Sequence, residues 1–253
     1  MKFFTSTAVA IVLTSCGSRE QKKEVTKADS VTVATPAQLT ALQKAEGWRL
    51  LFDGQTMNGW RIFKDRKNIW DVLDGTLHHK GLPEGVSSVD SIADKDSNIM
   101  TIEEFENFEL AFDWKLSPEG NSGVMFHVTE EFEKPEYSGP EYQLIDDKGY
   151  PEKLHDGQHT ADNYAMNFAE NKTVRPVGEW NTSKIVVNGH HVEHWLNGAK
   201  VVEYEIGSAD WIKRKKISKW KDAPGYGLAK RGHILLQDHP NEVWFKNIMI
   251  KVF

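Results

Sequence analysis

The 253-residue chain carries 31 basic and 37 acidic side chains, for a net charge of −6, and a single cysteine. One cysteine excludes a disulfide within the chain. An acidic balance with no basic groove of interleaved aromatics argues against nucleic acid as a partner.

The chain opens MKFFTSTAVAIVLTSC. Lys2 supplies a short positive region, Ala8–Leu13 an apolar one, and Leu13-Thr14-Ser15-Cys16 is similar to a bacterial lipobox. The apolar run is too short to cross a bilayer, so residues 1–16 read as an export signal with Cys16 as its lipid acceptor. Residues 17–35 are polar and contain no aromatic side chain, the composition of a tether. Together these predict a protein of the bacterial cell envelope, periplasmic or surface-facing, that meets the membrane only through its lipid. Pro36–Ala45 has the composition of one short helix, with Thr35 as its cap.

Residues 36–253 form one predicted all-β domain, which holds all nine tryptophans. Trp48–Phe52, Trp60–Phe63, Ile69–Val72 and Thr76–His79 are short strand-like runs, the last two joined by the Asp74-Gly75 hairpin signal. Ser97–Thr101 follows. In Phe108–Leu116, Phe108, Leu110, Phe112, Trp114 and Leu116 alternate with polar or small residues, the mark of a strand with one face on a core. Val124–Val128 and Glu141–Ile145 are bounded by Gly, Asn, Ser and Pro. Alternate side chains of a strand share a face, which sets Tyr142 and Leu144 against Glu141 and Gln143. It also joins His127 to the polar side. Such a face is a binding surface, an active site or simply a half-solvated sheet.

A long unpatterned region, Lys148–Arg175, carries His155, His159, Asp162 and Tyr164. Thr182–Asn188, His191–Leu196 and Lys200–Tyr204 form a meander with two Asn-Gly turns, at Asn188 and Asn197. Gly207–Lys230 reads as a loop whose basic run, Lys213–Lys221, is solvated. His233–Asp238 and Val243–Val252 close the domain. About ten to thirteen short strands with little helix predict a β-sandwich or jelly roll.

Six ordered motifs carry a family resemblance. Leu51–Trp60 (LFDGQTMNGW), Gly120–Val124 (GNSGV), Gly139–Asp147 (GPEYQLIDD), Gly178–Asn181, His194–Gly198 and Leu236–His239 together resemble the 3-keto-disaccharide hydrolase family, formerly domain of unknown function 1080. Pro240 departs from the glycine common at that position. The resemblance implies a concanavalin A-like jelly roll, a glycoside or oligosaccharide substrate oxidised at carbon 3, and cleavage by hydrolysis or by elimination and hydration. A non-catalytic, lectin-like carbohydrate-binding module on the same sandwich is the competing expectation.

Jelly-roll glucanases carry Glu-X-Asp-X-Glu on one strand, and Glu141-Tyr142-Gln143-Leu144-Ile145 lacks the second carboxylate. A ketone at carbon 3 instead acidifies the hydrogen on carbon 2, which calls for a base near neutrality and donors for an enolate. Glu141, His127, His239 and His194 are the candidate catalytic residues; His194 equally fits a satisfied core histidine. Gln143, Gln237, Asn121, Asp146, Glu179, Trp180 and Tyr164 are the candidate substrate-binding residues, although Asp146 also suits a turn cap. No cofactor is certain. A divalent metal ion is the one candidate, with His127, Glu141 and His239 as its ligands, and no tight ligand spacing supports it. Oligomeric state is not legible.

Overall fold

The computed structural model describes residues 36–81 and 97–253. Cys16, the leader, the tether and Thr35 all lie outside the described residues. The strands in chain order are β1 (Arg49–Leu50), β2 (Trp60–Ile62), β3 (Trp70–Leu73), β4 (Thr76–Lys80), β5 (Ile99–Phe105), β6 (Phe108–Leu116) and β7 (Asn121–Val128). There follow β8 (Glu141–Ile145), β9 (Asn181–Asn188), β10 (His191–Leu196), β11 (Ala199–Glu205), β12 (Gly232–Leu236) and β13 (Glu242–Val252). All pairings are antiparallel, in two sheets. The larger runs β11-β10-β9-β6-β13-β4-β3, with β1 also on β13; the smaller runs β2-β5-β12-β7-β8.

The alternating strand predicted over Phe108–Leu116 forms with those bounds. Its apolar face meets the inward face of the smaller sheet, so that Phe112, Trp114, Phe126 and Leu144 are buried in one core. This is the concanavalin A-like sandwich that the motifs imply. Between the sheets, the hydroxyls of Ser183 and Tyr142 and the indole of Trp114 are paired, as burial demands. Ser183 Oγ accepts from Trp114 Nε1 at 2.8 Å and lies 2.8 Å from the Tyr142 hydroxyl. At the Asn197-Gly198 and Asp74-Gly75 turns both residues have positive φ, the geometry a two-residue hairpin needs.

Three local expectations change. The first helix is α1 (Ala41–Ala45), and its cap is Thr40, which exchanges a capping box with Gln43. The expected loop Gly207–Lys230 contains a second helix, α2 (Ala209–Ile217), capped by Ser208. This helix buries only Trp211, so almost no apolar periodicity marked it. The unpatterned region after β8 turns back along that edge strand. Gln143 N donates to Asp162 O at 3.0 Å, Ala161 N to Gln143 O at 2.8 Å and Tyr164 N to Glu141 O at 3.0 Å. The segment therefore covers an edge that would otherwise stand unpaired.

Candidate active site

Strand β8 presents Glu141 and Gln143 on the face of the smaller sheet turned away from the core, opposite Met125 and Gly123 of β7. Gly123 is what allows this. A Cβ at that position would lie 2.0 Å from Glu141 Oε1 and 2.8 Å from its carboxyl carbon. The carboxylate thus lies flat over a backbone that only glycine leaves bare.

Both side chains reach a cleft of about 140 Å³ that is also lined by Asn121, Glu136, Tyr164, Lys219, Trp220, Gln237 and His239. Strand β12 ends at Leu236, so Gln237 and His239 arrive on the loop beyond it and not by strand alternation. That loop is pinned: Gln237 N donates to Gly123 O at 2.8 Å and Ser122 Oγ donates to Gln237 O at 2.8 Å. Asn121 Nδ2 donates to His239 Nε2 at 3.1 Å, which leaves the imidazole proton on Nδ1. Gln143 Nε2 donates to Gln158 O at 3.4 Å.

Four residues lining this cleft keep buried polar atoms with no partner: Glu141 Oε1, Gln143 Oε1, Asn121 Oδ1 and His239 Nδ1. Folded proteins rarely leave such atoms unpaired, and their gathering around one cavity points to a polar ligand. Burial pushes the Glu141 carboxyl up to about 8; the Lys219 ammonium opposes this and the Glu136 carboxylate adds to it. Burial holds His239 down at about 4, so its ring is neutral at pH 7. A carboxyl poised near neutrality beside a neutral N–H donor is suited to proton transfer.

The other expected site residues divide. Tyr164 lines the cleft, its hydroxyl accepting from Gln158 Nε2 at 3.1 Å. His127 does not reach it. Its φ of 53° and the register shift opposite, between His233 and Leu235, mark a bulge. The bulge reverses the alternation, so Val128 joins Met125 in a small apolar cluster on the outward side. His127 turns the other way, within hydrogen-bonding range of Glu106 O at 2.8 Å and edge-on to Phe126. It lines a separate hollow with Gly189 and Ile206. The candidate metal trio His127, Glu141 and His239 is therefore not assembled.

His194 is fully buried in the core, bonded through Nδ1 to Ala161 O at 2.9 Å and packed against the rings of Tyr142 and Tyr204. Burial holds it near 4, a satisfied core histidine. Asp146 caps the turn after β8, its carboxylate accepting from Glu119 N, Lys148 N and Gly149 N at 3.1, 3.2 and 2.9 Å. With Glu179 it borders a different cavity, beside Trp114 and Arg175. Trp180 lies against the outer side of the larger sheet, with Lys246 Nζ 4.0 Å from its ring centroid.

Three cleft residues were not anticipated: Glu136, Lys219 and Trp220. A tryptophan inside the basic run Lys213–Lys221 was the readable sign, since a purely solvated loop has no need of one. Trp220 is buried, donates through Nε1 to Tyr164 O at 2.8 Å, and carries Lys219 Nζ 4.5 Å from its ring centroid.

Comparisons with known proteins identify the family. A family model described as a 3-keto-alpha-glucoside-1,2-lyase-like domain matches residues 47–251. A 3-keto-disaccharide hydrolase of Bacteroides thetaiotaomicron is 32% identical over 277 residues, covering 95% of this chain and 94% of its own. A Parabacteroides distasonis protein provisionally designated a glycosyl hydrolase is 40% identical; its crystal structure matches with a TM-score of 0.78 over 87% of this chain and 100% of its own. A second crystal structure from that organism, under the same designation, is 26% identical, with a TM-score of 0.61 over 81% of this chain and 99% of its own. The chain belongs to the 3-keto-disaccharide hydrolase family, a family of enzymes that act on glycosides.

Proposed function

We propose that this enzyme cleaves 3-ketoglycosides by elimination across carbons 1 and 2 followed by hydration, with Glu141 as the base. The observation that carries the reading is the buried Glu141 carboxyl, raised to about 8, with Oε1 unpartnered and facing a polar cleft. In the ionised form it removes the proton from carbon 2, and the electron pair moves onto the ketone oxygen as an enolate. Lys219 and the His239 Nδ1–H are the positive and neutral donors available to that oxygen. The pair then returns to form the carbon 1–carbon 2 double bond as the bond from carbon 1 to the leaving oxygen breaks. Glu141 gives its proton to that oxygen. Water adds its hydroxyl to carbon 1 and a proton to carbon 2, so the net change is hydrolysis. Gln143, Asn121, Gln237 and Tyr164 orient the sugar.

The test compares a 3-keto-disaccharide with its unoxidised parent. Release of the leaving group from the ketone alone, slowed at least about a hundredfold by Glu141→Gln, is the expected result. Binding of both sugars without turnover would establish a lectin-like module. Glu136 favours a second reading, because it sets another carboxylate on the cleft. Cleavage of the unoxidised parent, lost in Glu136→Gln, would replace the present proposal with a two-carboxylate glycosidase.

We also propose that the protein is exported and held at the cell envelope through a lipid on Cys16. Cys16→Ala would then move it to the soluble fraction and abolish fatty-acid labelling; unchanged membrane association would sink this part.

A further inference from the structure

The cleft encloses about 140 Å³, well below the roughly 300 Å³ at which pockets for drug-sized ligands begin. It accommodates one sugar ring, so the rest of a glycoside has to lie outside it. Lys219 shows where. It lines the cleft and also a second hollow of about 380 Å³, walled by Ala165, Met166, Phe168, Arg214 and Ile217. Among the described residues, the hollow beside His127 and the cavity beside Trp114 share no lining residue with the cleft. The partition between cleft and second hollow is a bonded pair: Gln158 Nε2 donates to the Tyr164 hydroxyl, and Gln158 O accepts from Gln143. A ligand seated on Glu141 and extending into the second hollow would pass over this pair and Lys219.

The chemistry of the second hollow is unlike that of the cleft. Phe168 is 48% exposed and Ile217 81% exposed, apolar surface left open among the described residues. The Arg214 guanidinium lies 6.0 Å from the Phe168 ring centroid. It is held there by Asp210 Oδ2 at 2.6 Å and Met166 O at 3.1 Å. With the guanidinium over the ring, the half-exposed Phe168 and the fixed flat cation form a short cation–π stack that an aromatic guest can extend. A sugar would instead call for converging free hydrogen-bond groups, which the cleft has; of the polar groups lining this hollow, Gln158, Arg214 and Ser218 are already bonded within the protein.

We propose that this hollow is the leaving-group subsite and that it takes a planar aromatic aglycone, the phenol of an aryl 3-ketoglycoside. The proposal rests on the catalytic reading of the cleft. It also suits the bond broken: the electron pair of the carbon 1–oxygen bond passes to a phenolic oxygen beside the Lys219 ammonium, and that oxygen takes the proton Glu141 removed from carbon 2.

The experiment measures binding of an aryl 3-ketoglucoside and of methyl 3-ketoglucoside to the Glu141→Gln protein by calorimetry. The methyl compound has nothing to place in the hollow. The aryl compound is expected to bind about tenfold more tightly, the size of one good aromatic contact. Phe168→Ala, and separately the surface change Ile217→Ser, should bring the aryl-to-methyl ratio towards one. No measurable binding of the aryl compound, no preference for it, or a preference that survives both substitutions would overturn the proposal. Turnover by the wild type is read separately. If neither compound is cleaved while the ratio behaves as expected, the catalytic reading falls and the aromatic subsite stands.

Discussion

Replacing Glu141 by Gln should change how stability depends on pH, whatever it does to activity. In the unfolded chain this carboxyl titrates near its ordinary value of 4.5, and in the folded protein burial raises it to about 8. Between those values the folded state holds one proton more than the unfolded state. The contribution of Glu141 is therefore fully present below about pH 4.5 and is lost as pH rises, levelling off above about pH 8. At about 1.4 kcal/mol per pH unit the whole loss is on the order of 5 kcal/mol. Glutamine keeps the shape and cannot ionise, so Glu141→Gln lacks this decline. His194 and His239, held near 4 by burial, lose stabilisation below their ordinary 6.5, but they do so in both proteins and cancel in the difference. Urea unfolding of both proteins between pH 5 and 9 reads the effect. The stability of the variant relative to the wild type should climb steadily and flatten above pH 8. Parallel curves would mean that Glu141 is ionised in the folded state, and the account of a near-neutral base would fail.

Activity should carry the same signature: kcat/KM rises toward a limb near pH 8 as Glu141 ionises, and Lys219→Met moves that limb upward by removing the facing ammonium. A limb that stays put in the variant would detach Lys219 from the cleft. Gly123→Ala forces Glu141 off its seat, since the added carbon falls 2.0 Å from Oε1; the expectation is about 1–3 kcal/mol of destabilisation with activity down by at least about a hundredfold, read from unfolding and turnover together. Phe112→Ala opens the core between the sheets, where this side chain is 1% exposed, and should cost about 3–5 kcal/mol in denaturant unfolding. A cost near zero would contradict the packing.

Where one face of a strand is buried, the sequence was easy to read. Phe108–Leu116 and Glu141–Ile145 form with the bounds their alternation suggests, because each inward side chain meets the opposite sheet. The same alternation placed Glu141 and Gln143 together correctly and His127 wrongly. Nothing in Val-Met-Phe-His-Val announces the extra residue of a bulge, which is set by the register against β12. Gln237 and His239 reach the cleft, but through a pinned loop past the end of their strand. Lys219 and Trp220 come from a segment distant in sequence, and only tertiary packing delivers them; Glu136 stands close by, in the turn at Pro135–Tyr137 that leads into β8. Helix α2 escaped notice because it buries only Trp211 and leaves Ile212 and Ile217 exposed among its charges, although Ser208 stood at its start as a legible cap.

The origin of the hydrogen on carbon 2 of the product tests the central claim most directly. Elimination and hydration carried out in heavy water place one solvent deuterium there per turnover, whereas direct hydrolysis leaves the original hydrogen in place. Unreacted substrate and pre-formed product incubated with Glu141→Gln report any exchange that is not turnover. One deuterium at carbon 2 of the product, with none in those controls, is the result expected of Glu141 as the carbon acid's base. Product that keeps its original hydrogen at carbon 2 would contradict it.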